Sequence, residues 1–268
     1  VARFFHPNYA ADLRDKYSVL FWDEASMLTE GAKEAIMVMN AKHIFAGDLG
    51  YQLPPVIDKE TKKKGGKWLY QMTEKHFENV ETLTKNYRNG DDRKLTKILN
   101  GLRKMIDMTK LMPPFTAYWH QKDFFQKDFP YRAFQVVENL VKPHWEMSYE
   151  EGKIIKTKSL DKNTYQKEDL IICAEHNECN KYTERFKEIK KYRVKQNTRD
   201  YCNGEIIFSK PKKVGVELRH GFTIHSIQGE TADHKLFIDL TKMKSLEMFY
   251  TALSRARTWE QIYIMKPE

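Results

Sequence analysis

Two acidic turns near the start of the chain hold the first residues able to do chemistry. The apolar run Val19-Leu20-Phe21-Trp22 ends in Asp23-Glu24, and His43-Ile44-Phe45-Ala46 ends in Gly47-Asp48. Just past an apolar strand, one such carboxylate can hold a hydrated Mg2+. Its neighbour can orient or deprotonate a water, which is what metal-assisted hydrolysis of a nucleoside triphosphate needs. An Asp-Glu pair alone is more often a solvated strand-to-loop turn. Gln52 stands where a neutral amide can sense a terminal phosphate, in a loop that Gly47 and Gly50 let bend and Pro54-Pro55 stiffen. A turn rich in Gly and Pro is ordinarily only a turn. Downstream lie Asn86-Tyr87-Arg88, Thr223-Ile224-His225-Ser226-Ile227-Gln228-Gly229-Glu230-Thr231 and Tyr250-Thr251-Ala252-Leu253-Ser254-Arg255-Ala256-Arg257. Arg88 and Arg255 are the residue type suited to a transferring phosphoryl group, because the guanidinium is planar and permanently charged.

These residues need a frame that presents them together. The runs 19–22 and 43–46 read as strands, with a helix between them capped at Thr29 and carrying Ala32, Ala35, Ile36 and Met39 at helical spacing. Apolar runs of this kind predict parallel strands buried on both faces, in an α/β layer fold where ligands sit at the carboxyl ends of the strands. Residues 80–83 read as a further short strand, and Leu95, Ile98, Leu99, Leu102, Met105 and Ile106 form a helical stripe. The pattern blurs over 107–167. Strands are then predicted at 170–174, 222–225, 236–240 and 261–265, with helices carrying Cys179, Tyr182, Phe186 and Ile189, and Leu246, Phe249, Tyr250 and Leu253. The fold class expected is α/β, as two stacked parallel-sheet layers.

Composition narrows the setting. The chain has 268 residues with 41% hydrophobic and 31% charged, which excludes a disordered tail or low-complexity segment. No apolar stretch approaches a membrane span, and no signal pattern opens the chain. Three irregularly spaced cysteines exclude a disulfide scaffold and suit a reducing, intracellular compartment. A net charge of +9 favours a polyanionic partner.

Taken in order, the polar segments resemble the motifs of superfamily 1 helicases, closest to the type B, RecD-like branch. Asp23-Glu24-Ala25-Ser26 resembles the Walker B motif, the Gly47 to Pro55 run motif III, and Asn86-Tyr87-Arg88 motif IV. The segment 223–231 resembles motif V and 250–257 motif VI. The resemblance implies two RecA-like lobes, the first incomplete at its N-terminus. Residues 1–88 would form the distal part of the first lobe. Residues 89–268 would form the second, with an aromatic-rich insert near 107–167 and a short hairpin near 203–222. It implies ATP and Mg2+ as cofactors and single-stranded nucleic acid, DNA rather than RNA, as partner. Asp23 would coordinate Mg2+, Glu24 activate the water, and Gln52 read the γ-phosphate. Arg88 and Arg255 would act as arginine fingers, facing the acidic pair across a cleft. Asp48, Gln228 and Gly229 would lie towards the nucleotide, and Thr223, His225 and Ser226 along the nucleic-acid backbone. Type B members move 5′ to 3′.

The sequence departs from that pattern in two places. It has no G-x-x-x-x-G-K-[ST] phosphate loop, and only 22 residues precede Asp23, so the chain, which starts at Val1, reads as the distal part of a longer protein. Only 18 residues separate Gly204 from Thr223, room for a hairpin and not for the small barrel that type B enzymes insert there. Two other readings stay open at this point: a nucleic-acid-binding module without its own ATPase activity, and a viral-type RNA helicase. Cys173, His176, Cys179 and Cys202 could be drawn as a zinc site, but Cys173 falls on a strand and Cys179 on the apolar face of a helix, where core packing is the simpler role. The aromatics Phe115, Tyr118, Trp119, Phe124, Phe125, Phe129, Tyr131 and Phe134, interleaved with Lys122, Lys127 and Arg132, suit either a single-strand channel or a core. Lys59, Lys62, Lys63, Lys64 and Lys67 read as a solvated loop tip.

Overall fold

A computed structural model describes residues 16–25, 28, 36, 39–48, 51, 53, 77–83, 86–111, 154–196, 198, 200–211, 214–243 and 245–266. Gln52, the helix after Thr29 apart from Ile36 and Met39, the lysine-rich loop and the aromatic stretch 115–134 lie outside the described residues. The chain divides into two compact units, Val1–Thr84 and Lys85–Glu268.

In the first unit, β1 (Val19–Trp22) and β2 (Lys42–Phe45) pair in parallel, Trp22 opposite Phe45. The strands alternate, so Leu20, Trp22 and Phe45 face a small core of Ala25, Leu28, Ile36, Met39 and Phe77. Trp22, His43 and Phe45 stack successively, and the Trp22 indole N–H donates to His43 Nδ1 at 3.0 Å. The expectation that both faces are buried fails here, since Val19, Phe21 and Ile44 on the opposite face are exposed. Residues 80–83 do not form the expected strand. Val80 and Leu83 are exposed, and an apolar residue without a neighbouring strand gains nothing from extending.

The second unit is built on a five-stranded, wholly parallel sheet of order β3-β10-β9-β4-β8: Ile154–Lys156, Ile262–Lys266, Leu236–Asp239, Leu170–Cys173 and Gly221–Thr223. All four residues of β4 and of β9 are buried, which is why they read as continuous apolar runs. Strand β3 and the following residues Leu160 and Tyr165 belong to this core, so the end of the region read as an insert is part of the sheet. Helix α1 (Arg93–Leu111) buries Leu95, Ile98, Leu99, Leu102 and Ile106 and packs against α3 (Leu246–Leu253), which Ser245 caps by accepting from Met248 N at 3.2 Å. Helix α2 (His176–Arg185) lies on β4 and β8 with Cys179, Tyr182 and Phe186 inward. Its approach to β8 is close. A methyl group at Gly221 would stand 2.6 Å from Cys179 Cα, so only glycine fits there. Cys173 and Cys179 are both fully buried, and burial raises the Cys173 thiol well above its ordinary value.

A smaller antiparallel sheet has the order β6-β5-β7, with β5 (Tyr192–Val194) between β6 (Ile206–Ile207) and β7 (Val216–Leu218). The hairpin expected near 203–222 is therefore not one, because its two strands flank β5 instead of pairing with each other. Beneath this sheet runs a buried polar chain. His220 Nε2–H donates to Ile189 O at 3.0 Å, so Nδ1 accepts from the Tyr165 hydroxyl at 2.9 Å. Lys191 donates to Asp169 O and to the Tyr165 hydroxyl at 3.4 Å. Burial and the Lys191 charge depress His220 from its ordinary 6.5 to about 4, and burial depresses Lys191 to about 8.

Because His220 binds its proton more weakly folded than unfolded, the unfolded chain protonates first. Stability is then complete above pH 6.5 and falls as pH drops towards 4. Urea midpoints across this window should show a loss of about 2 kcal/mol that His220→Gln removes. Gly221→Ala should cost about 1–3 kcal/mol by the same measurement, through the clash with Cys179.

Candidate functional site

The acidic turns of the first unit share one edge. The parallel ladder continues past the strands, with Ala46 N donating to Trp22 O at 2.9 Å and Ala25 N to Ala46 O at 2.8 Å. Asp23-Glu24 and Gly47-Asp48 therefore leave the carboxyl ends of adjacent strands, as ligand-binding turns do in open sheets. Asp23 is exposed, and its Oδ1 accepts from Glu24 N at 2.8 Å, which fixes the carboxylate while its second oxygen stays open to a cation. Glu24 is half-buried with φ of 50°, a left-handed conformation that costs a residue with a Cβ about 1–2 kcal/mol. Asp48 is half-buried. Among the described residues no group of three or more His, Cys, Asp or Glu is placed to hold a metal. A magnesium ion that keeps most of its waters needs only one or two carboxylates, and Asp23 fits that requirement.

In the second unit three polar segments meet. Asn86 folds its own loop, with Oδ1 accepting from Arg88 N at 3.0 Å and Asn89 N at 3.3 Å. Arg88 Nη1 then donates to Ser254 O at 3.2 Å, and Asn89 Nδ2 to Ala256 O at 3.5 Å. Asp92 caps α1 by accepting from Leu95 N at 2.9 Å and also accepts from Trp259 N at 2.6 Å. Arg255 is the hub of the junction. Fully buried, it donates from Nε to Thr251 O at 3.1 Å, from Nη1 to Glu230 O at 3.3 Å and from Nη2 to Ser254 Oγ at 2.9 Å. The two arginines singled out in the sequence thus converge on Ser254, Arg88 on its carbonyl and Arg255 on its hydroxyl.

Glu230 closes the segment that holds the remaining candidates. Thr223 ends β8, is buried, and its carbonyl accepts from Ser226 Oγ at 2.8 Å. Residues Ile224–Ile227 wind into a 3-10 turn with both isoleucines buried, leaving His225 and Ser226 half-exposed. The strand read to His225 stops at Thr223 because the isoleucine spacing matches one helical turn. Gln228 is half-buried, and Gly229 turns the chain at φ of 90°, open to glycine alone without strain. Beside the junction an open cleft of about 650 Å³ is lined by Tyr87, Arg88, Asn89, Arg93, Arg257 and Glu260. Sequence reading passed over Arg93 and Arg257. Arg93 carried no signal beyond proximity to Arg88, Arg257 closes the 250–257 segment without a role of its own, and exposed Arg257 is held by Asp233 at 3.1 Å.

No protein-family model and no curated protein matches the chain. Solved structures do. A Pif1 helicase from Candida albicans superposes with a TM-score of 0.56 at 14% identity, over 97% of this chain and 75% of that one. A Bacteroides Pif1 in complex with ADP-AlF3 and single-stranded DNA gives 0.59 at 16%, over 97% and 72%. A Bacteroides Pif1 bound to single-stranded DNA gives 0.56, again at 16% and over 97% and 72%. The fold is that of Pif1-type helicases. At such identities the likeness concerns architecture, α/β with parallel sheets like the RecA-like lobes of these enzymes, and not the roles of single residues. No described helix of the chain is long and apolar enough to cross a membrane.

The two arginines should behave differently when removed. Arg255→Ala removes three hydrogen bonds and a large buried side chain from the interior and should lower stability by about 3 kcal/mol. Arg88→Ala, half-exposed with one bond to a carbonyl, should cost less than about 1 kcal/mol. Thermal or urea unfolding of the two variants measures the contrast.

Proposed function

We infer that the chain is part of an ATP-driven translocase or helicase that acts on single-stranded nucleic acid, DNA in preference to RNA, moving 5′ to 3′. The observation that carries this reading is the junction at Ser254, where segments resembling motifs IV, V and VI are joined by the hydrogen bonds of Arg88 and Arg255. A polar junction of this kind couples a nucleotide-sensing loop to a strand-contacting one through a few directional bonds, so a change at one is felt at the other. The basic charge and a fold shared with proteins solved on single-stranded DNA support the same reading.

In this reading Asp23 is the carboxylate that holds Mg2+, which when bound neutralises charge on the transferring phosphoryl group. Glu24 takes the proton of the attacking water, its unusual backbone aiming the side chain. Asp48 completes that edge, and Gln52 is the reader of the γ-phosphate. Arg88 supplies positive charge to the phosphates from the open cleft, and Arg255, at the hub, both holds the junction and reports on it. Gln228 and Gly229 lie towards the nucleotide, while Thr223, His225 and Ser226 lie along the strand backbone.

The test is ATP hydrolysis by the protein in its natural full-length form, with and without single-stranded DNA or RNA. Stimulation by DNA and a loss of at least 100-fold in kcat for Glu24→Gln, with nucleotide binding kept, is the expected result. Strand binding without any hydrolysis would favour a binding module instead, and stimulation by RNA alone would reverse the preference for DNA.

A further inference from the structure

Arg255 and Arg257 stand two residues apart in opposite surroundings. Arg255 is fully buried, with Nε, Nη1 and Nη2 donating to Thr251 O, Glu230 O and Ser254 Oγ. It reaches a ligand only by leaving those acceptors and the interior, at the cost of the bonds and of the packing around it. The Arg257 side chain is 55% exposed and lines the cleft of about 650 Å³ together with Arg88. Asp233 holds its Nε at 3.1 Å, and its two Nη groups have no partner among the described residues.

One side chain fixes the backbone on both sides of that ion pair. Gln261 Oε1 accepts from Arg257 N at 2.8 Å and Thr258 N at 3.0 Å, and its Nε2 donates to Ala232 O at 3.2 Å and Asp233 O at 3.0 Å. The arginine and the carboxylate that orients it thus share an anchor. Arg88 is brought alongside by its bond to Ser254 O and by that of Asn89 to Ala256 O, and its Nε and Nη2 have no partner among the described residues. Arg93, exposed on the first turn of α1, has no bond that orients its side chain.

No aliphatic residue lines the cleft. Its formal charges balance, with Arg88, Arg93 and Arg257 against Asp91, Asp92 and Glu260. Both Asp92 oxygens are engaged, by Leu95 N and Trp259 N, and none of the three arginines is paired with an acid of the cleft. Attraction there comes from open guanidinium forks at short range and not from a broad positive field. Such forks match phosphate oxygens, two N–H bonds at a time.

We propose that Arg257 is the arginine of the 250–257 segment that contacts the terminal phosphate of a nucleoside triphosphate, in the same cleft as Arg88, while Arg255 supports the segment from the interior. This inference rests on the functional reading above, and it gives Arg257 the contact that the sequence resemblance assigns to Arg255.

The experiment uses the protein in its natural full-length form with single-stranded DNA present. Arg257→Ala should lower kcat for ATP hydrolysis at least 100-fold. Arg257→Lys, which keeps the charge and loses the fork, should stay at least tenfold down. Affinity for ADP with aluminium fluoride, which mimics the transferring phosphoryl group, should fall at least tenfold in Arg257→Ala, and affinity for ADP alone should stay within about twofold. Urea midpoint and affinity for dT12 should match the unsubstituted protein, because the residue is exposed and its pair with Asp233 is a surface one. A loss of hydrolysis below tenfold, or equal losses of ADP and ADP–aluminium fluoride binding, overturns the role of Arg257 and leaves the functional reading standing. Loss of stability or of dT12 binding alongside hydrolysis makes the residue a structural one and overturns the role as well. Absence of hydrolysis by the unsubstituted protein overturns the functional reading, and the proposal with it.

Discussion

A fully charged guanidinium in the interior constrains the whole second unit. Arg255 cannot lose its proton to relieve burial, so the chain must bring acceptors to it, and it does so from three places: the end of α3, Ser254 beside it, and Glu230 beyond the 3-10 turn. Those acceptors fix the loops that carry them. The bridge between Ala232 and Ala256, and the bond from Arg88 to Ser254, follow from the same convergence. The polar loops keep a defined shape because a buried charge would otherwise be left unsolvated.

Around that junction the parallel sheet supplies position. Its strands all end on one edge, and Thr223, His225 and Ser226 follow β8 there. The first unit repeats the scheme on a smaller scale, with two parallel strands and two acidic turns held level by the ladder between Trp22, Ala25 and Ala46. In both, the backbone hydrogen bonds set the height of the functional residues, and the apolar side chains decide only which face is covered.

Much of the frame was legible because burial on both faces leaves uninterrupted apolar runs, as at Leu170–Cys173 and Leu236–Asp239. The helical stripe from Leu95 to Ile106 was legible for the same reason at a different period. Strand β3 escaped notice because two isoleucines between lysines carry too little pattern, and 80–83 misled because two apolar residues in an exposed segment look like a strand. The candidate residues were found as local motifs, but their environments were not. Nothing in Ser254-Arg255-Ala256 says that the arginine is interior, since composition assigns such a charge to the surface.

The absence of a side chain at Gly221 has a mechanical consequence. With helix backbone seated directly on strand backbone there is no layer of pliable rotamers to absorb a displacement, and close-packed contacts transmit strain instead of dissipating it. Helix α2 and strand β8 therefore behave as a single lever, and any force exerted at the helix's first turn reaches the loop after Thr223 undamped.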